Sequence, residues 1–277
     1  MLEGLCHPDK SFIGLSYSEL YLPSLDPEAG RSPASLKPKH LQDWLKRVRR
    51  KVDPLKLRFY AVGEYGDESW RPHYHTILFG YPTCVRGHTL RLPGSTRPVA
   101  YMCCEHCALI QATWPFGDVD LGTVTRESAS YCAEYTVKKL TSVDDPRLLR
   151  SGARIHPEFC RMSLRPGIGS DYMWEVASGM ITHSLDESML DVPQSLKHGP
   201  ANWPLGRYLR GRLREMIGRD KNAPPEALEN LKAELSPLRQ IAFDASVSFS
   251  KALASIDDGR VANMKVRSEI YKRRKSQ

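Results

Sequence analysis

No run of about 18 apolar residues occurs among the 277 residues, which excludes a membrane-spanning helix and sets aside any membrane partner. The opening Met-Leu-Glu-Gly-Leu-Cys-His-Pro lacks a basic-then-apolar leader, so a cytoplasmic location is expected. A Walker-type phosphate loop is missing, and the chain is therefore not expected to be its own helicase. Repeats, heptads and low-complexity tracts are also missing. Acidic residues are the scarcer charge, 32 against 40 Lys and Arg, for a net charge of +8. With a pI near 9.1, that balance favours a polyanionic partner. The length suits one large domain, or a domain with an appendage, and leaves ample core. Seven cysteines without a secretion signal point to reduced thiols.

The most informative run is Arg-Pro-His73-Tyr74-His75-Thr-Ile-Leu-Phe-Gly. Its β-branched, aromatic and aliphatic residues, bounded by Pro72 and Gly80, predict a strand. Alternate side chains then share a face: His73 and His75 project together, about 7 Å apart along the strand, and Tyr74 points away. Two such imidazoles can close on one divalent cation, or can be ordinary half-buried histidines. Residues 56–65 predict a second strand and Gly66-Asp67-Glu68-Ser69 a turn. The resulting hairpin places Glu64 beside the histidines, with Asp67 as the other option for a third ligand. Two His and one carboxylate leave coordination positions open, which suits Mn²⁺ or Mg²⁺ bridging a phosphate; Zn²⁺ is also compatible.

A second informative run is Ser128-Ala-Ser-Tyr131-Cys-Ala-Glu-Tyr135-Thr-Val-Lys138-Lys139-Leu140. Glu127 to Leu140 contains neither Gly nor Pro and predicts a helix, entered from a strand-like Asp118–Thr125. Tyr131, Tyr135 and Lys138 fall at i, i+4 and i+7, on one face. Paired Tyr at this spacing can pack in a core with Lys at the rim. Alternatively, a phenolate can attack a phosphodiester, with a nearby cation favouring the ionised form.

Gly-Glu64-Tyr-Gly, Arg-Pro-His73-Tyr74-His75 and Tyr131-x-x-x-Tyr135-x-x-Lys138, in this order, are similar to HUH endonucleases. More narrowly, the sequence resembles the rolling-circle replication initiators of gokushovirus-type microviruses. The segments Phe12 to Tyr17, Trp114 to Gly117 and Met162 to Gly169 agree, and the likeness spans roughly residues 11–175. It implies an α+β fold with a central antiparallel sheet of about five strands flanked by helices. His73, His75 and Glu64 would be metal ligands, Tyr131 and Tyr135 nucleophiles, and Lys138 a phosphate-binding or phenolate-stabilising cation. The implied activity is metal-dependent nicking and joining of single-stranded DNA at a replication origin through a 5′-phosphotyrosyl intermediate. Implied partners are a host DNA polymerase and helicase, and the setting is a host cytoplasm. Relatives of this kind often carry further sequence, including a cysteine pair, before the first strand, so Cys6 is read as the remnant of a shortened edge. Rival readings are a non-catalytic DNA-binding module of the same fold, or a relaxase or single-strand transposase of a mobile element.

The expected organisation is a nicking domain over residues 1–175, a linker over 176–200 and a basic helical extension over 201–277. Within the extension, helices are predicted over Pro204–Arg219, Pro224–Leu235 and Phe243–Ile256, followed by a basic tail from Lys265 to Gln277. Lys37 to Lys51 predicts a helix with Leu41, Trp44, Leu45 and Val48 on its apolar face. Its opposite face is basic, as either a DNA-backbone contact or a solvated surface. In the insertion from Tyr81 to Tyr101 and just beyond, Cys84, His88, Cys104 and Cys107 can build a structural Zn²⁺ site; free thiols are the plainer alternative.

Overall fold

Alternation along the strands sets the architecture, seen here in a computed structural model that describes residues 1–25, 33–138, 142–199, 201–249, 251–252 and 255. Strands β1 (Lys10–Ser16), β2 (Arg58–Tyr65), β3 (Pro72–Phe79), β4 (Val119–Thr123) and β5 (Phe159–Met162) form one sheet in the order β4-β1-β3-β2-β5. Every pairing in it is antiparallel, and the strand carrying the two histidines lies at the centre. The expected α+β fold with a five-stranded sheet is therefore present. Helices α1 (Pro38–Lys51), α2 (Glu105–Thr113) and α3 (Arg126–Lys138) flank it.

The two faces of the sheet bury different partners. Ile13, Leu15, Tyr74, Leu78, Val119 and Leu121 point to one face, against Leu41, Trp44, Leu45 and Val48 of α1 and Ile110 of α2. The four apolar residues of α1 are those that the helical spacing selects. Trp44 Nε1 donates to Thr113 Oγ1 at 3.0 Å and Arg47 Nε to the Thr113 carbonyl at 2.8 Å, joining α1 to the end of α2. Arg49 donates to the Leu57 carbonyl at 3.4 Å and lies over the Phe59 ring. The basic face of α1 is thus not purely a solvated or DNA-facing surface, because two of its arginines brace the fold. On the other face of the sheet, Val62, Ile77 and Phe79 pack with Cys132 of α3, and Phe12, Tyr60 and Ala129 close the cluster.

Tyr74 explains why an aromatic residue separates the two histidines. Its ring is fully buried on the α1 face, and its hydroxyl lies 2.9 Å from the Tyr17 hydroxyl. The same oxygen accepts from Lys37 N and donates to Lys37 O, both at 3.0 Å, which satisfies the chain entering α1. Burial pushes the Tyr74 phenol up from its ordinary value, so this tyrosine is held neutral as a structural hydrogen-bonding group.

The chain divides into compact units Met1–Val176 and Ala177–Gln277, and the division falls inside α4 (Tyr172–Thr182). Residues 176–200, expected as a linker, carry the end of α4, a short helix Leu185–Ser188 and β6 (Ser195–His198). The last of these pairs with β7 (Ala201–Pro204) in a hairpin. Beyond it, α5 (Arg207–Met216) is shorter than predicted, and one helix, α6 (Pro225–Asp244), runs on to Asp244 past the predicted end at Leu235. The basic tail from Lys265 to Gln277 lies outside the described residues.

The arginines of α5, which the sequence presents as a basic helix, are partly consumed inside the second unit. Arg214 makes two hydrogen bonds of 2.7 Å to the Asp191 carboxylate and Arg210 adds one of 2.8 Å. Burial works to raise the Asp191 carboxyl, but the Arg214 hydrogen bond and charge outweigh it and hold it below its ordinary value. A carboxylate depressed in the folded state stabilises above the ordinary carboxylate range and loses that contribution as pH falls through it. Asp191→Ala leaves buried Arg214 without its partner and is expected to cost about 3 kcal/mol at neutral pH. Urea unfolding of both proteins at pH 7 and near pH 3 checks this, with the difference shrinking in acid.

Candidate metal and nucleophile site

The site is a consequence of β-sheet register. β2 and β3 pair so that Glu64 lies opposite His73 and Val62 opposite His75, while β1 places Gly14 opposite His75. Period-two alternation then puts Glu64, His73 and His75 on the face covered by α3 rather than the face covered by α1. Glu64 is almost fully buried and both histidines are part-buried. Its Oε1 lies 2.7 Å from His73 Nε2 and 3.0 Å from His75 Nε2. The two imidazoles stand at right angles, their centroids 5.1 Å apart. Asp67, the other option for a third ligand, is exposed in the turn and does not join this group.

These three side chains fit a divalent cation. Their donor atoms all lie within 4.8 Å of one another. Glu64 Oε2 and His75 Nδ1 are buried and make no hydrogen bond among the described residues, which is unusual for polar atoms so placed. His73 Nδ1 lies 3.1 Å from the Arg71 carbonyl, the outer-shell contact that orients a ligating imidazole and turns Nε2 inward. One carboxylate oxygen and two imidazole nitrogens leave coordination positions open for water or a phosphate oxygen.

The α3 helix brings a phenol to the same point. Ser128 and Thr125 cap its start: Thr125 N–H donates to Ser128 Oγ at 2.8 Å and Ser128 N–H to Thr125 Oγ1 at 3.2 Å. Ala129 and buried Cys132 seat the helix on Val62, Ile77 and Phe79. Tyr131 is left part-exposed, its hydroxyl donating to Glu64 Oε1 at 3.2 Å and its ring edge-on to His75 at 5.0 Å. Tyr131 is therefore not a core tyrosine; it shares one carboxylate oxygen with both histidines. Tyr135 and Lys138 belong to the same helix, but their side chains lie outside the described residues, as do Lys139 and Leu140.

Three neighbours of the site were not foreseen. Phe12 stacks on the His75 ring at 5.4 Å, with an interplanar angle of 15°, and meets Tyr131 edge-on. Gly14 stands between His75 and Asp120 in the cross-strand row, and its missing side chain leaves space beside His75 Nδ1. Asp120, on the edge strand β4, is ion-paired with Arg91 and lies 3.1 Å from His88. The period-two pattern of β1 and β4 held the signal for all three, but only the pairing of those strands with β3 locates them. His88 is consequently a correction: it does not complete the expected cysteine set. Cys103 takes its place, and the Sγ atoms of Cys84, Cys103, Cys104 and Cys107 lie within 4.8 Å of one another. Among the described residues no helix is long and apolar enough to cross a membrane.

A five-stranded sheet with a His pair, a facing carboxylate and a tyrosine helix defines the class to which the comparisons assign the chain. Residues 10–140 belong to the ORF2-type family of phage replication-associated proteins, whose model they match. The chain is 27% identical over 201 residues to Replication-associated protein ORF4 of Chlamydia phage 1, covering 71% of this chain and 46% of that protein. It is 30% identical over 167 residues to Replication-associated protein ORF2 of Spiroplasma virus 4, covering 59% and 47%. To Replication-associated protein VP4 of Bdellovibrio phage phiMH2K it is 32% identical over 108 residues, covering 39% and 32%. The chain thus spans about half, or less, of the length of the curated relatives it matches. No solved structure matches it.

Burial works to raise the Glu64 carboxyl, but the hydrogen bonds and charges of His73 and His75 prevail and hold it down to about 2. Its stabilising contribution is present above the ordinary value of 4.5 and is lost as pH falls toward about 2. In metal-free buffer, wild-type stability to urea is expected to fall through that window more steeply than that of Glu64→Gln, which has no carboxylate to protonate. Parallel curves for the two proteins would contradict the shared-carboxylate geometry.

Proposed function

We propose that this protein is a rolling-circle replication initiator of the HUH type, which nicks and rejoins single-stranded DNA at a phage replication origin. The observation that carries the reading is the Tyr131 phenol, hydrogen-bonded at 3.2 Å to the carboxylate oxygen that His73 and His75 share. A nucleophile held at a metal-ligand set on a half-open sheet face suits a long DNA strand better than a small enclosed substrate. The names of the relatives, all replication-associated phage proteins, support the same reading.

In this mechanism His73, His75 and Glu64 hold Mn²⁺ or Mg²⁺, which supplies polarisation of the scissile phosphate and neutralises charge on the leaving oxygen. Tyr131, giving up its phenol proton to water, attacks phosphorus. The P–O3′ bond breaks, the 3′ oxygen takes up a proton, and the 5′ side of the strand stays on the tyrosine as a phosphodiester. Lys138 binds the phosphate or favours the ionised phenol. Because the ester is retained, a later 3′-OH can reverse the link and close a circle. Tyr135, one helical turn on, cuts the regenerated origin while Tyr131 still holds DNA. A host polymerase extends the free 3′-OH and a host helicase opens the duplex, in the host cytoplasm. Residues 1–175 form the nicking domain, and the basic C-terminal region adds non-specific DNA affinity.

The test is nicking of circular single-stranded DNA from the parent genome with Mn²⁺ or Mg²⁺, scored for a protease-sensitive protein–DNA adduct. Tyr131→Phe is expected to slow the first cut by at least about 100-fold, and His75→Ala to lose metal-dependent cleavage to a similar degree. The Tyr131→Phe/Tyr135→Phe double variant should form no adduct. Intact DNA binding with no adduct from the wild-type protein under either metal would overturn the enzyme reading and leave a binding module.

A further inference from the structure

The insertion between β3 and α2 leaves the sheet at Gly80 and returns to its edge. Thr89 N–H donates to the Leu121 carbonyl at 3.1 Å, the Leu121 N–H donates to Thr89 Oγ1 at 2.6 Å, and His88 bridges to Gly122. The segment thereby covers the otherwise open edge of β4 and carries His88 and Arg91 onto Asp120. Such a stretch, rich in Gly and Pro and poor in regular structure, needs something to order it.

Four cysteines from three stations along the chain converge at its base. Cys84 lies in the turn after β3, Cys103 ends a short helical turn over Ala100–Cys103, and Cys104 and Cys107 occupy the N-cap and first turn of α2. Cys84 Sγ is 3.5 Å from Cys103 Sγ and 3.9 Å from Cys104 Sγ, and all four sulfurs lie within 4.8 Å of one another. Four thiolates bound about 2.3 Å from one Zn²⁺ would form a tetrahedron with edges of about 3.8 Å. All seven cysteines of the chain are free thiols, and three of these four are buried.

Donors surround the sulfurs as they do around metal-bound thiolates. Leu90 N–H donates to Cys103 Sγ at 3.1 Å, and Thr89 Oγ1 lies 3.7 Å from Cys107 Sγ. The Arg86 N–H points at Cys84, and the N–H groups of Cys107 and Val85 point at Cys104. The Cys84 turn closes tightly, with Gly87 N–H bonded to the Cys84 carbonyl at 2.8 Å and Gly87 at φ +78°. A merely apolar cluster of thiols would need neither this convergence of backbone donors nor a left-handed glycine beside it.

The geometry points to a structural Zn²⁺ site formed by Cys84, Cys103, Cys104 and Cys107, which pins the insertion to the edge of the sheet. It is separate from the Glu64, His73 and His75 group and shares no ligand with it.

The experiment is metal analysis and Co²⁺ exchange of the full chain purified without chelator. The expected result is a single thiolate-bound zinc per chain, replaced by Co²⁺ with sulfur-to-metal charge-transfer bands and intense tetrahedral d–d bands. A site of carboxylate and imidazole ligands gives no sulfur charge transfer, so the other metal group cannot mimic this signature. His88→Ala should retain the bands and Cys103→Ser should lose or strongly distort them. Should Cys103→Ser fail to fold, the wild-type spectrum alone decides. Co²⁺ without thiolate bands, a Cys84–Cys103 disulfide in the purified protein, iron in place of zinc, or bands unchanged in a folded Cys103→Ser protein would each overturn the proposal.

Discussion

The buried Glu64 carboxylate, accepting from His73 and His75 across one register of the β2–β3 hairpin, is the interaction on which the remainder of the site depends. A buried charge is tolerated only with close, well-aligned partners, and here both come from the neighbouring strand. Slipping β3 by one residue would turn Tyr74 to the α3 face and the imidazoles into the α1 core. The hydrophobic burial of Tyr74 and Leu78 on one side and of Ile77 and Phe79 on the other opposes that slip. Core packing and site assembly are therefore one constraint, read from opposite faces of the same strand.

The tyrosine helix obeys the same logic at one remove. Cys132 and Ala129 bind α3 to the sheet through apolar contact, and this packing sets the height at which Tyr131 meets Glu64. One side chain of the helix is buried and its neighbour left part-exposed at the carboxylate, so the phenol stays accessible while its hydroxyl remains oriented. Phe12 and Gly14 complete the surroundings by opposite means, one by stacking on His75 and the other by leaving space beside it. A strand edge that bore larger side chains at these positions would crowd the approach of a phosphodiester to the imidazoles.

Much of this was legible in the linear chain. The His-x-His strand, the facing Glu64, the helix after β4 and the buried stripe of α1 all follow from periods of 2.0 and 3.6. The misreadings share a cause. Arg47 and Arg49, like Arg210 and Arg214, count as surface charge in a one-dimensional reading, yet their guanidinium groups satisfy carbonyls or a carboxylate within the fold. Likewise His88 has suitable spacing for the cysteine cluster, but pairing of the insertion with β4 carries it to Asp120, while Cys103 turns inward.

The sequence by itself determined the elements and which side chains share a face within each, because those follow from local backbone periodicity and burial. It also determined the supply of chemistry: two imidazoles, a carboxylate, phenols and a group of thiols. Only the tertiary structure decided the strand order β4-β1-β3-β2-β5, the register that brings Glu64 between the histidines, and the choice of Cys103 over His88. Those outcomes depend on contacts between residues far apart in the chain, such as Tyr131 with Glu64 and Thr89 with Leu121, for which no local pattern carries information.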